Sequence, residues 1–339
     1  MATSTLSAEL RVLHRRRLLT HAAAWALLPA APMAQAQARW PERALRCLVG
    51  FPGGTSSDLL ARTLAEPLAA ALGQAVVVDN RAGAGGNIAA DLLAKASDGH
   101  TFGVVSTGPL TTARLLNPRL PFDPERDLAP ITLIATAPMV LVTPVGTEAA
   151  SLAALLAALR AQGDRANYAS VGIGSAAHLG MELLKSRSGL AATHIPYAGA
   201  PQIVNALFSA EVQLALMAPA AAMPLARAGK LRAWAVTSSV RSILAPELPA
   251  LAEAGGAALA GFSFESWNAV CAPARLALPH RQRLERELQA IIRAPQMRER
   301  LTAQGWQVAG TTAEGLAQRI REDTDSMKRL IRERAITLG

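Results

Sequence analysis

Beyond residue 40 the chain alternates two hydropathy patterns. Short apolar, β-branched runs read as strands at 44–50, 75–79, 101–106, 130–135, 139–143, 167–171, 193–197, 212–217, 231–237 and 266–272. Between them apolar residues recur at helical spacing. Leu60, Leu64, Leu68 and Leu72 form one such stripe, with Ser57 or Asp58 placed to cap its start and Pro67 expected to bend it or cost it one hydrogen bond. Further helices are predicted at 88–96, 151–162, 176–187, 201–209, 279–293, 295–304 and 312–335, the last with Thr311 and Glu314 spaced as a capping box. Strand–helix alternation of this kind predicts an α/β fold of largely parallel sheets with helices on both faces.

Ligands of such sheets bind beyond the carboxyl ends of the strands. Four strand-to-helix turns there are rich in Gly, Ser and Thr: Phe51-Pro52-Gly53-Gly54-Thr55-Ser56-Ser57-Asp58, Ser106-Thr107-Gly108-Pro109, Gly172-Ile173-Gly174-Ser175 and Tyr197-Ala198-Gly199. Small residues let backbone approach a ligand, and the following helix presents unpaired N–H groups to an anion. Each turn alone is a tight turn; four at equivalent strand ends point to a binding cleft. His178, one turn into a helix beside Gly172–Ser175, is placed either to touch a ligand or to hydrogen-bond its own loop.

The first 38 residues read as an export signal. Arg15-Arg16-Arg17 precede an apolar run from Leu18 to Ala31, and Ala34-Gln35-Ala36 and Ala36-Gln37-Ala38 both offer A-x-A cleavage sites. Arg15-Arg16-Arg17-Leu18-Leu19 also fits a twin-arginine pattern. Cleavage after Ala38 removes four arginines and one glutamate, which takes the formal charge from +9 to +6. The C-terminal helices carry much of the basic surplus, but Glu and Asp are interleaved, as on solvated helix faces. With only 4% aromatic residues as well, nucleic-acid binding is excluded.

Other chemistries find little support. Gly83-Ala84-Gly85-Gly86-Asn87-Ile88 lacks the third glycine of a dinucleotide fingerprint. Gly172-Ile173-Gly174-Ser175-Ala176-Ala177 satisfies it, but the next strand end, Thr193 to Tyr197, has no carboxylate for a ribose. No cofactor and no metal are expected, since His100, His178, His194 and His280 share no ligand spacing with Cys, Asp or Glu. No G-x-S-x-G elbow is present, so no catalytic residue is assigned. Cys47 and Cys271 read as buried, unpaired strand residues.

The order of motifs resembles the Bug (TctC-like) family of periplasmic solute receptors, which serve tripartite tricarboxylate transporters. It is carried by Trp40-Pro41-Glu42-Arg43, the Phe51–Asp58 loop, Val78 to Asn87, Asn167-Tyr168-Ala169-Ser170, His178-Leu179, His194 to Gly199 and Ala228 to Ala233. The resemblance implies a two-lobed periplasmic binding protein of type II, monomeric, that closes on a small carboxylate and hands it to membrane transporter subunits. It places lobe 1 at 39–138 plus 266–339 and lobe 2 at 139–265, with hinge crossings near 137–143 and 262–267. Carried over by position, lobe 1 contributes Phe51, Gly53, Gly54, Thr55, Ser56, Ser57, Asp58, Ser106 and Thr107 to the ligand. Lobe 2 contributes Gly174, Ser175, Ala176, His178, Tyr197 and Gly199. Where the family often carries charged residues this chain has Ala198, Ala206 and Met217, which favours a less polar monocarboxylate or an aromatic acid over an amino acid. The rival readings are an exported hydrolase using Ser106 or Ser175 and a sensory receptor that signals to a membrane partner.

Overall fold

In a computed structural model of the protein, residues 40–197 and 199–337 are described; the expected signal segment and Ala198 lie outside them. Two mixed sheets flanked by helices make up the fold. The first runs β11-β4-β10-β3-β1-β2, built from β1 (Leu45–Val49), β2 (Val76–Asn80), β3 (Thr101–Ser106), β4 (Leu128–Pro138), β10 (Glu265–Pro273) and β11 (Gln307–Val308). The second runs β7-β6-β8-β5-β9, built from β5 (Val140–Pro144), β6 (Asn167–Ser170), β7 (Thr193–Pro196), β8 (Leu214–Met217) and β9 (Leu231–Val236).

Parallel pairing is confined to the strand–helix–strand units, β2-β1-β3 in one sheet and β7-β6-β8 in the other. The sheets are therefore mixed rather than mostly parallel. The cause is the strands through which the chain passes between sheets. β4 leads through Met139 directly into β5, and the return path reaches β10 from β9; β10 then pairs antiparallel with both β3 and β4, and β5 with both β8 and β9. Near the return, the Phe264 N–H donates to the Thr237 carbonyl and the Met139 N–H to Thr237 Oγ1, so one threonine joins the two passages.

Each sheet has its own core. Leu48, Phe122, Leu133 and Trp267 are buried on the first. The second buries Leu141, Tyr168 and Phe262 on one face and Val142, Leu207 and Met223 on the other. Cys47 and Cys271 are free and buried, and burial pushes both thiols up to about 12. They lie on β1 and β10 with β3 between them, Cys47 opposite Phe102 and Cys271 opposite Gly103. Two strand spacings, ~10 Å, exceed the reach of a disulfide.

Several helix starts differ from the sequence expectation. The first helix, Ser56–Leu72, starts after Thr55, which makes no side-chain cap bond; Ser57 and Asp58 lie inside the helix, which runs unbroken through Pro67. The last, Ala313–Glu333, is capped by Thr312, whose hydroxyl accepts from the Gly315 N–H at 3.1 Å. Thr311 is drawn away to β4, where its carbonyl accepts from Thr132 Oγ1 at 2.6 Å. The helix Pro219–Arg227 carries two prolines, Pro219 and Pro224, and its sequence gave no helical expectation. Among the described residues no helix is long and apolar enough to cross a membrane, and no cluster of His, Cys, Asp and Glu is suited to a metal ion.

Candidate functional site

The turns at the carboxyl ends of β1, β3 and β6 open onto one cleft of about 1410 Å³. Of the residues predicted to touch a ligand, Phe51, Thr55, Ser56, Ser57, Ser106, Thr107, Gly174, Ser175 and Ala176 line it. Gly53, Gly54, Asp58, His178, Tyr197 and Gly199 do not.

The first turn is shaped from behind. Asp58 Oδ2 accepts from the Gly54 N–H at 2.8 Å and from Arg62 Nε at 3.0 Å, while Oδ1 accepts from Asn80 Nδ2 at 2.9 Å. Burial alone would raise this carboxyl, but the hydrogen bonds from Arg62, Gly54 and Asn80 outweigh it and hold the group below the usual range. With its carboxylate so engaged, Asp58 fixes the turn instead of meeting a ligand. A second constraint is close packing: a Cβ on Gly50 would lie 2.5 Å from Gly86 Cα, and Gly86 has φ +97°. The Gly83–Gly86 run that mimics a nucleotide fingerprint serves this backbone-to-backbone contact.

Thr55 makes no side-chain cap bond, the first N–H groups of Ser56–Leu72 have no partner among the described residues, and Thr55, Ser56 and Ser57 line the cleft. Ser57 Oγ donates to Asn268 Oδ1 at 2.8 Å, leaving its oxygen as an acceptor. Thr107 Oγ1 is held by the Trp267 backbone, accepting from N–H at 3.0 Å and donating to the carbonyl at 3.1 Å. Its role is to tie the turn after β3 to β10.

On the second sheet, Ser175 caps the helix Ala176–Ser188 by accepting from the His178 N–H at 3.3 Å. Its hydroxyl donates to the Gly172 carbonyl at 2.7 Å, and its own N–H donates to the same carbonyl at 3.2 Å. The Gly174 N–H donates to His178 Nδ1 at 3.3 Å. His178 thus hydrogen-bonds its own loop, the second of the two placements weighed from the sequence. Ala176 lines the cleft, and its N–H has no partner among the described residues. Tyr197 donates its hydroxyl to Glu211 Oε1 at 3.0 Å.

A buried polar cluster supports this loop. His178 and His194 are tilted against each other at 4.5 Å between ring centroids, and His194 stacks on Tyr168 at 4.9 Å. His194 Nε2 lies 2.7 Å from Ser170 Oγ, which also accepts from the Gly172 N–H at 3.1 Å. Burial first, and then His194, push the His178 imidazole down to about 4, and burial lowers His194 as well. Both rings are therefore neutral near pH 7. Behind them the Glu182 carboxylate accepts from Tyr168 Oη at 2.7 Å, Lys185 Nζ at 2.6 Å and Arg334 Nε at 3.3 Å.

The cleft also gathers residues the sequence did not mark: Asn87, Ile88 and Leu92 after the Gly83–Gly86 run, Asn268 on β10, and Arg319 and Asp323 on the last helix. The Asn87–Leu92 group follows a motif already singled out. Arg319 and Asp323 read as an exposed i, i+4 pair, and the pair does exist at 2.9 Å, but Trp267 Nε1 also donates to Asp323 at 2.6 Å and holds it at the cleft wall.

Two sheets joined by two strand passages, with unpaired helix amides from each opening on a shared cleft, define a two-lobed solute-binding receptor. Residues 60–336 match the tripartite tricarboxylate transporter family receptor model, TctC, and the chain belongs to that family. It is 40% identical to protein BugT of Bordetella pertussis over 236 residues, 69% of this chain and 72% of BugT. Among solved structures it is similar to Rpa4515 of R. palustris with adipate, with TM-score 0.78 and 30% identity over 88% of this chain and 99% of that one. It is also similar to MatC (Rpa3494) of Rhodopseudomonas palustris with bound malate, with TM-score 0.75 and 28% identity over 86% of this chain and all of that one.

Proposed function

We propose that the protein is a periplasmic receptor that captures a small carboxylate between its lobes and presents it to the membrane subunits of a tripartite tricarboxylate-type transporter. The observation that carries this reading is the pair of helix starts, at Ser56 and at Ala176, whose first N–H groups have no partner among the described residues and whose first residues line one cleft. Partial positive charge from two helices at one place suits a carboxylate held in part by each lobe. The adipate- and malate-bound relatives support the same ligand class.

The lobe division proposed is the segment ending at 138 with 266–339 against 139–265, and Met139 and Phe264 are the hinge points. Ligand binding shifts the protein toward the closed form by its differential affinity for that form. Phe51, Thr55, Ser56, Ser106, Gly174, Ser175 and Ala176 form the contact set, and Asp58, Thr107 and His178 position it. The protein acts as a monomer, exported by its N-terminal signal, with the twin-arginine route the finer assignment.

Turnover has little to work with here. Ser175 donates its proton to a carbonyl, and Ser170, which does sit beside a histidine, is fully buried. A thermal-shift screen of mono-, di- and tricarboxylates tests the reading, because a ligand that binds only the folded form raises its melting temperature by mass action. At least one acid raises it in a concentration-dependent way; a flat response across the screen contradicts the reading.

A further inference from the structure

Every charged side chain lining the cleft is already engaged by the protein. Arg319, the one cation among the described lining residues, donates from Nε to Asp323 at 2.9 Å and lies 3.8 Å from Glu265 Oε2. Glu265 accepts from Thr136 Oγ1 at 3.3 Å, and burial raises its carboxyl against the pull of Arg319. Glu322 accepts from Gln318 Nε2 at 2.8 Å, and Asp91 pairs with Lys95 at 2.7 Å. With Asp91 paired to Lys95, three carboxylates (Glu265, Glu322 and Asp323) share one guanidinium, which leaves that part of the wall electronegative apart from the helix amides. Ala206 and Met217, where the family often carries acids, are buried in the core of the second sheet and do not line the cleft.

The apolar lining shows the opposite condition. Ile88 and Leu92, one turn apart on the helix Asn87–Lys95, are 47% and 39% exposed. From the second lobe, Val171 and Ile173 are 48% and 43% exposed. Large apolar side chains left half in water on both walls of a cleft mark a surface that gains by being covered. The walls already approach at one point, where a Cβ on Gly174 would lie 3.1 Å from Leu116 Cδ1.

We infer that the ligand carries a single carboxylate on an uncharged, apolar body. The carboxylate seats on the amides at Ser56 and Ala176, and the body lies between Ile88–Leu92 and Val171–Ile173. A second carboxylate meets Glu265, Glu322 and Asp323 with no free cation to receive it. A distal ammonium on that body loses its water against Ile88, Leu92, Val171 and Ile173, which offer it no acceptor. The inference rests on the carboxylate reading above and narrows it.

Isothermal titration with five probes tests it: hexanoate, 6-aminohexanoate and adipate, which share a six-carbon chain, and benzoate with terephthalate. Hexanoate binds at least about tenfold tighter than adipate and 6-aminohexanoate, or benzoate tighter than terephthalate by a like factor. Adipate, terephthalate or 6-aminohexanoate as the tightest probe overturns the inference while leaving the carboxylate reading intact. No binding by any of the five also overturns it, and the thermal-shift screen then decides separately whether the carboxylate reading stands. In Ile173→Asn the monocarboxylate weakens severalfold and adipate does not, whereas equal losses for both overturn the assignment of that side chain. Glu265→Gln narrows the gap between hexanoate and adipate; an unchanged gap counts against an acid wall.

Discussion

Asp58 and His178 sit beside the cleft and act through the backbone of its turns. Asp58 occupies the third helical position, and its carboxylate reaches back to the Gly54 N–H, so one side chain closes the turn, pairs with Arg62 and holds Asn80. Asp58→Ala leaves the Gly54 N–H and the Asn80 amide without this partner and costs about 2–3 kcal/mol, checked by chemical denaturation. Its depressed carboxyl gives stability that is present above the unfolded value near 4 and lost as pH falls through the lower folded value. The residue type was visible in the sequence; its role was not. Asp58 was expected to cap the helix or meet the ligand, and only the position of Asn80, at the end of the neighbouring strand, shows that its lone pairs are taken. Tyr197 is a similar case, since its partner Glu211 is distant in sequence and belongs to no motif.

At the scale of elements, all ten expected strands form, most of them on a buried apolar run; β2 and β7, at the sheet edges, are only partly buried. The two-residue β11 carries no such run; Gln307 and Val308 pair with Thr136 and Ala135 only because the neighbouring helix delivers them there. The helix Pro219–Arg227 was hidden by its prolines, yet Pro219 stands at its first position, where the missing N–H costs nothing. The Gly172–Ser175 turn and its helix show what sequence pattern leaves out. The turn was legible, while the neutral imidazole that accepts from Gly174 depends first on burial and then on β7 bringing His194 beside it, with Lys185 acting in the same direction and Glu182 against it. His178→Leu removes the acceptor and lowers carboxylate affinity about tenfold, whereas His178→Asn, which can place Oδ1 where Nδ1 was, retains most of it. Because the folded value is depressed to about 4, the unfolded chain binds the extra proton first. Stability from this group is full above the unfolded value of about 6.5 and is lost progressively as pH falls toward 4. Melting temperatures of wild type and His178→Asn across that window check it: the variant has the shallower slope.

Across the whole molecule, the last helix adds a tie that neither strand passage provides. Asp323 and Arg319 hold it to β10 of the first sheet, and Met327 and Leu330 pack on Leu179 of the second. Just past its end, Arg334 donates to the buried Glu182 carboxylate. Glu182 keeps Lys185 and Tyr168 when this partner goes, so Arg334→Ala costs only about 1–2 kcal/mol, below the usual figure for breaking a buried pair, as a denaturation midpoint would read. The two-lobed architecture was legible because it follows from motif order and strand–helix alternation. The composition of the cleft was not, since its walls draw on the last helix and on β10, more than 200 residues from the first turn. The central claim is that free helix-start amides from both lobes hold the ligand's carboxylate, and Ala176→Pro tests it most directly. Proline is tolerated at a first helical position, and Ser175 before it is already extended, so the fold is kept while one N–H is deleted. Calorimetric titration of this variant with the acid that most stabilises the wild type should give an affinity at least about tenfold weaker at a melting temperature within a few degrees of wild type; an unchanged affinity would contradict the account.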